Sequence, residues 1–165
     1  MPPPLLAAAA CVLSYRPARE DDLPFLALLY ASTRDEEVAS TGWPIEAQRA
    51  FLQQQHEAQH SHYRKHYADA EWLVIERGDE AIGRLYLEEW PSQMRIIDIS
   101  LMPDSRGRGF GAAILRDVQA DAASRGKGVS IHVEKNNPAR RLYERLGFAA
   151  VEDKGVYDLL SWSPE

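Results

Sequence analysis

Arg106-Gly107-Arg108-Gly109-Phe110-Gly111 is preceded by the apolar run Ile96-Ile97-Asp98-Ile99-Ser100-Leu101 and followed by Ala112-Ala113-Ile114-Leu115-Arg116-Asp117-Val118. The first run reads as a buried β-strand stopped by Pro103, and the last as the opening of an amphipathic helix. Glycines at alternate positions remove the Cβ atoms that would hold a ligand off the backbone. The first turn of the helix also leaves N–H groups without partners inside the helix. A strand, a loop and a helix N-terminus in this order form an anion cradle. Arg106 and Arg108 add two permanent charges suited to phosphate, which a purely structural turn does not need.

The spacing Gly107-x-Gly109-x-x-Ala112 also matches a dinucleotide fingerprint, with Glu134 as its acidic partner. Two features oppose that reading. Residues 102–106 separate the strand from the first glycine, and repeated βαβ units are missing from the rest of the chain. A pyrophosphate loop of the form Arg106-x-x-Gly109-x-Gly111 fits better, and a second motif downstream supports it.

That motif is Asn136-Asn137-Pro138-Ala139-Arg140-Arg141-Leu142-Tyr143-Glu144-Arg145-Leu146-Gly147-Phe148. Pro138 suits the first turn of a helix, Asn136 or Asn137 can cap it, and Gly147 can end it. Leu142 and Leu146, four apart, make its inward stripe. Tyr143 lies on a neighbouring face, where a phenol packed at the helix edge is the structural alternative to a functional one. In these two motifs the chain resembles the GNAT N-acetyltransferase superfamily, whose pattern is R/Q-x-x-G-x-G/A opening a helix, a strand, then N-x-x-A-x-x-L-Y-x-x-x-G-F. Asn136, Ala139, Leu142, Tyr143, Gly147 and Phe148 meet the second motif without a gap, and the resemblance covers residues 94–150 most directly.

The resemblance implies an α/β (α+β) GNAT fold. In it, a central mixed, mostly antiparallel twisted sheet of about seven strands is splayed at the cofactor site and flanked by about four helices. It implies acetyl-coenzyme A (acetyl-CoA) as cosubstrate and direct acetyl transfer to a primary amine of a small molecule, protein or peptide, by a monomer or homodimer. Leu101, Met102, Arg106, Gly107, Arg108, Gly109, Phe110, Gly111, Asn136 and Tyr143 are the expected cofactor-binding residues, with main-chain groups of Leu101 and Met102 facing the pantetheine arm. Tyr143 is the expected acid for the departing thiolate. A base or a water relay must take the proton of a lysine-like amine, whose pKa is about 10.4. Asp98 is the first candidate, because a carboxylate inside an apolar strand is costly unless it faces a polar groove; Glu88 is the second. A module that binds acetyl-CoA without turnover is the alternative from another class.

The periodicities of the remaining chain agree with that element order. Strands are expected at residues 12–16, 72–76, 81–88, 129–134, 148–153 and 156–162, and helices at 20–33, 45–66 and 109–125. Residues 35–44 read as a loop, in which Asp35, Glu36 and Glu37 could receive a cation. Residues 1–10 read as a disordered leader, since Pro2-Pro3-Pro4 opposes an early helix and no basic residue precedes the short apolar run; residues 11–165 read as one domain.

The chain has 165 residues and a formal net charge of −6, which opposes nucleic acid as a bulk electrostatic partner. A chain of this length can bury roughly two thirds of its unfolded surface. It contains no apolar run long enough for a membrane span, and its single cysteine, Cys11, suits a reducing cytoplasm. A rival stands in the helix at 45–66, where His56-Glu57-Ala58-Gln59-His60 matches the H-E-x-x-H of zinc peptidases and His66 stands at the third-ligand spacing. Tyr63 occupies the position where those enzymes need glycine to turn the chain. If the helix continues, His66 falls off the face shared by His56 and His60, so no metal requirement is expected.

Overall fold

The structure is a computed structural model that describes residues 2–165. Its strands are β1 (Leu13–Pro17), β2 (Glu71–Arg77), β3 (Glu80–Glu89), β4 (Gln93–Leu101), β5 (Gly128–Glu134), β6 (Ala149–Asp153) and β7 (Tyr157–Trp162). The helices are α1 (Ala7–Ala10), α2 (Leu23–Ala39), α3 (Ile45–His66), α4 (Phe110–Ser124) and α5 (Arg140–Arg145). One sheet holds all seven strands in the order β1-β2-β3-β4-β5-β7-β6. Every neighbouring pair is antiparallel except β4 and β5. That one parallel pair needs a crossover, and α4 supplies it. The expected mixed, mostly antiparallel sheet is therefore present.

Burial follows from where each strand sits. In β2, Leu73, Val74 and Ile75 are all buried, so both faces of the sheet are covered there. At the far edge β6 is exposed along its whole length. The main core joins Leu85, Leu87, Ile96 and Val129 of the sheet to Ile114, Leu115 and Val118 of α4, each at most 1% exposed. Each such side chain contributes about 1.5–3 kcal/mol of burial. A smaller cluster of Tyr30, Val38 and Leu52 holds α2 to α3.

That cluster explains one difference from the sequence reading. Residues 35–39, expected in a loop, continue α2 to Ala39. Neither Gly nor Pro interrupts them, and Val38 gains a buried position against α3. A second difference lies at the N-terminus. Residues 6–8 are held by Asp117 of α4, whose carboxylate accepts N–H bonds from Leu6, Ala7 and Ala8 at 3.1, 2.8 and 2.9 Å. Ala8 is fully buried, so this stretch is docked and partly helical rather than an unstructured leader.

The second motif folds largely as read. Asn137, not Asn136, makes the local cap, its Oδ1 accepting the Ala139 N–H at 2.9 Å. α5 ends at Arg145, Gly147 beyond its cap turns the chain with φ 91°, and the Phe148 N–H returns to the Tyr143 carbonyl at 3.0 Å. Among the described residues, no helix is long and apolar enough to cross a membrane.

Candidate active site

The sheet opens where both motifs meet it. β4 and β5 are paired only from Gln93↔Gly128 to Ile96↔Ile131, yet β4 runs on to Leu101 and β5 to Glu134. Their last residues therefore border a gap rather than each other. The Met102 N–H donates to the Ile82 carbonyl at 2.7 Å, toward β3. Because successive strand residues turn their amides to alternate sides, the Leu101 amide faces the gap. This corrects the expectation for Met102, whose N–H is used inside the sheet, and leaves Leu101 as the main-chain donor on that wall.

The loop after β4 meets the requirements of a cradle. Gly107 and Gly109 have φ of 70° and 83°, a backbone region open mainly to glycine, and a Cβ at either position would meet nothing within 4 Å. The glycines thus serve backbone shape beside open space, not protein packing. α4 starts at Phe110 with no side-chain cap, and its first internal bond runs from the Ala113 N–H to the Gly109 carbonyl at 3.1 Å. The amides of Phe110, Gly111 and Ala112 precede any intrahelical acceptor, which makes this end of α4 a place for an anion.

The three remaining side chains of this loop behave differently from the expectation. Arg106 donates from Nε to the Leu101 carbonyl at 2.9 Å and from Nη2 to Ser32 Oγ at 3.0 Å, bracing the loop against β4 and α2. The Arg108 guanidinium stacks over the Phe110 ring, 4.9 Å from its centroid. Phe110 itself is a core side chain, 5% exposed, so only its amide can meet a ligand.

Tyr143 and Asp98 share one environment. The Tyr143 ring is buried and meets Phe148 edge-on, with centroids 5.6 Å apart. Burial pushes its phenol well above the ordinary tyrosine range, and the Asp98 charge adds to that push. Burial likewise raises the phenols of Tyr63 and Tyr86, with Asp98 raising and Arg84 opposing. Asp98 thus lies within electrostatic reach of three tyrosines. Its carboxylate accepts from Arg84 Nε in a tight ion pair and from Ser100 Oγ at 3.2 Å. Arg84 is 3% exposed; its Nη2 donates to Gln59 Oε1 of α3 at 2.8 Å. Sequence reading missed Arg84, though the signal was present. A cation inside the run Ala81-Ile82-Gly83-Arg84-Leu85-Tyr86-Leu87 calls for a partner as much as Asp98 does.

Glu88 and Asn136 are not brought into this group. Glu88 is opposite Arg95, in the part of the sheet below the gap, and accepts from Trp90 Nε1 at 2.9 Å. Asn136 is exposed beyond the end of β5. Asp35, Glu36 and Glu37 fall on the last turns of α2, where Glu37 lies 3.3 Å from Arg34.

The His56-Glu57-x-x-His60 segment lies inside α3, which runs unbroken through Tyr63 to His66. His56 is buried against Tyr30, ring centroids 5.7 Å apart, whereas His66 stacks on His62 at 4.1 Å. Burial first, and Arg84 next for His56, hold the His56 and His60 imidazoles below their ordinary pKa. For His60 the Arg64 charge adds to burial.

Comparison with known proteins agrees with this geometry. Over 95 residues the chain is 32% identical to mycothiol acetyltransferase of Corynebacterium glutamicum, a match covering 56% of this chain and 32% of the relative. The chain thus spans about a third of the length of the curated relatives it matches. The PaiA N-acetyltransferase of Thermoplasma acidophilum, solved with coenzyme A, superposes with a TM-score of 0.69 at 14% identity, covering 92% of this chain and 99% of that one. Arabidopsis thaliana Naa50, solved with the bisubstrate analogue CoA-Ac-MVNAL, gives 0.59 at 18% identity, covering 93% and 99%. At these identities the two structures speak for the fold. The model of the acetyltransferase (GNAT) family matches residues 30–148, which include the gap, the cradle and Tyr143, and the chain belongs to that family.

Proposed function

We propose that the chain is an acetyl-CoA-dependent N-acetyltransferase that passes the acetyl group directly to a primary amine of a small molecule or of a protein or peptide. The observation that carries this reading is the uncapped start of α4 beside Gly107 and Gly109, opening onto the gap between β4 and β5. The amides at residues 109–112 would hold the pyrophosphate, with Arg108 free to swing from Phe110 toward it. Acetyl-CoA supplies the activated acyl group as a thioester.

The chain's own residues then have separable tasks. The Leu101 amide donates toward the gap, where negative charge on the acyl oxygen develops. The Tyr143 phenol, kept protonated through the neutral range by burial, gives its proton to the leaving thiolate. Asp98, held by Arg84 and Ser100, can orient the amine and a water that relays the amine's proton to solvent. The single cysteine and the lack of a membrane-spanning helix among the described residues suit action in the cytoplasm. Calorimetric titration with acetyl-CoA, joined to a thiol-release assay over an amine panel, tests the proposal. Binding with release on amine addition supports it; binding without release for any amine leaves a non-catalytic acetyl-CoA module.

A further inference from the structure

Beside the Asp98 group, an open cleft of about 650 Å³ lies between residues 18–20, the start of α2 and the last turns of α3. Its floor is the Trp72 and Tyr86 rings, edge to face with centroids 4.8 Å apart. Arg19, Arg64 and Lys65 line it against one carboxylate, Glu20. Arg64 stacks over Trp72, 5.8 Å from the ring centroid, and among the described residues no carboxylate closes on Arg64 or Lys65 in an ion pair. This local excess of cations runs against the chain's net charge of −6. It concentrates positive potential over an apolar floor, the surroundings that attract an anion carried on a hydrocarbon body.

The sheet register relates the cleft to the reacting end. Trp72 is directly opposite Tyr86, and Tyr86 directly opposite Asp98, so the three side chains stand side by side on one face. Two strand spacings separate the first from the last, about 10 Å. We propose that this cleft is the distal acceptor subsite, and that the acceptor carries a carboxylate or phosphate about 10 Å from the amine that is acetylated. The inference rests on the N-acetyltransferase reading and narrows its acceptor to an anionic, extended amine.

The test compares ω-aminooctanoate, ω-aminooctyl phosphate and the methyl ester of the first, binding the acetyl-CoA-loaded protein at low salt. Arg64 and Lys65 are exposed, so R64Q/K65Q leaves the fold intact. An anionic member that binds roughly tenfold tighter than the ester, with the gap closing in the double variant and with rising salt, is the expected result. The stronger of the two anions identifies the group. Acetyl-CoA affinity stays unchanged in the variant. Equal binding of ester and anions, or a preference that survives R64Q/K65Q, overturns the subsite. Selective anion binding without thiol release would sink the transfer reading while leaving the subsite in place, so the two failures are distinct.

Discussion

Arg34 of α2 sets a guanidinium nitrogen 3.1 Å from Glu134 Oε1 at the end of β5. With Arg106 bonded to Ser32, this pair fastens α2 beside the part of the sheet where β4 and β5 separate. Both side chains are more than a quarter exposed, so the pair is worth only about 0.2–1 kcal/mol to stability. Its consequence is positional. Glu134→Gln should leave the melting temperature and acetyl-CoA affinity nearly unchanged while raising the acceptor KM several-fold. A double-mutant cycle with Arg34→Gln in that KM should show coupling; additive effects would mean that the two side chains act separately.

Tyr143→Phe separates chemistry from packing. The ring, buried against Phe148, is retained, and cofactor affinity should stay close to that of the parent. Loss of the acid should lower kcat by roughly 10²-fold. Melting temperature and kcat measured on the same preparation decide the matter, because a structural hydroxyl would cost about 1 kcal/mol of stability and leave the rate alone.

Gly83 faces Leu101 across β3 and β4, and a Cβ there would collide with the Ser100 carbonyl oxygen and lie 2.8 Å from Leu101 Cδ2. Glycine inside a strand here marks a close backbone approach. Gly83→Ala should push β4 outward at the wall of the gap. The expected result is weaker acetyl-CoA binding and a lower melting temperature together. Calorimetric titration and thermal unfolding check both, and unchanged affinity would show that the Leu101 wall is not part of the cofactor site.

The parts of this fold that were legible in the sequence are those whose cause is local. Glycines 107 and 109 announce a positive φ, Pro138 and Gly147 bound a helix, and Ile114, Val118 and Ala122 repeat with the helical period. The unforeseen parts depend on partners far along the chain. Nothing near Ala8 signals Asp117, and nothing near Asp98 signals that register sets Arg84 beside it. The Met102 amide looked free because its acceptor, Ile82, belongs to another strand.

Asp117 makes such a distant partnership measurable. It is 2% exposed and accepts three backbone N–H groups at the N-terminus. Asp117→Ala should undock residues 6–8 and destabilise the protein by about 1–3 kcal/mol, an expected loss of several degrees in melting temperature. Hydrogen exchange should show the amides of Leu6, Ala7 and Ala8 losing protection before the sheet does. Retained protection there would mean that burial of Ala8 alone holds the segment.

The histidines predict how stability depends on pH. His56 is 4% exposed and its Nε2 has no hydrogen-bond partner, so burial, then Arg84 and His60, depress its folded-state pKa. His60 and His132 are lowered as well, both first by burial. Above about pH 6.5, the unperturbed value, these imidazoles are neutral in both states and stability is fully present. As pH falls below that value, the unfolded chain binds protons before the folded one does. For buried His56 the unfolding free energy therefore declines by up to about 1.4 kcal/mol per pH unit until its folded-state pKa is reached, whereas His132, exposed on β5, adds little because solvent screens it. His56→Phe keeps an aromatic ring beside Tyr30 and removes both the titration and the unpartnered nitrogen. At pH 8 the variant should be at least as stable as the parent, and between pH 6.5 and 5 its melting temperature should fall less steeply. Parallel curves for the two proteins would show that His56 is not among the groups that set the acid limit.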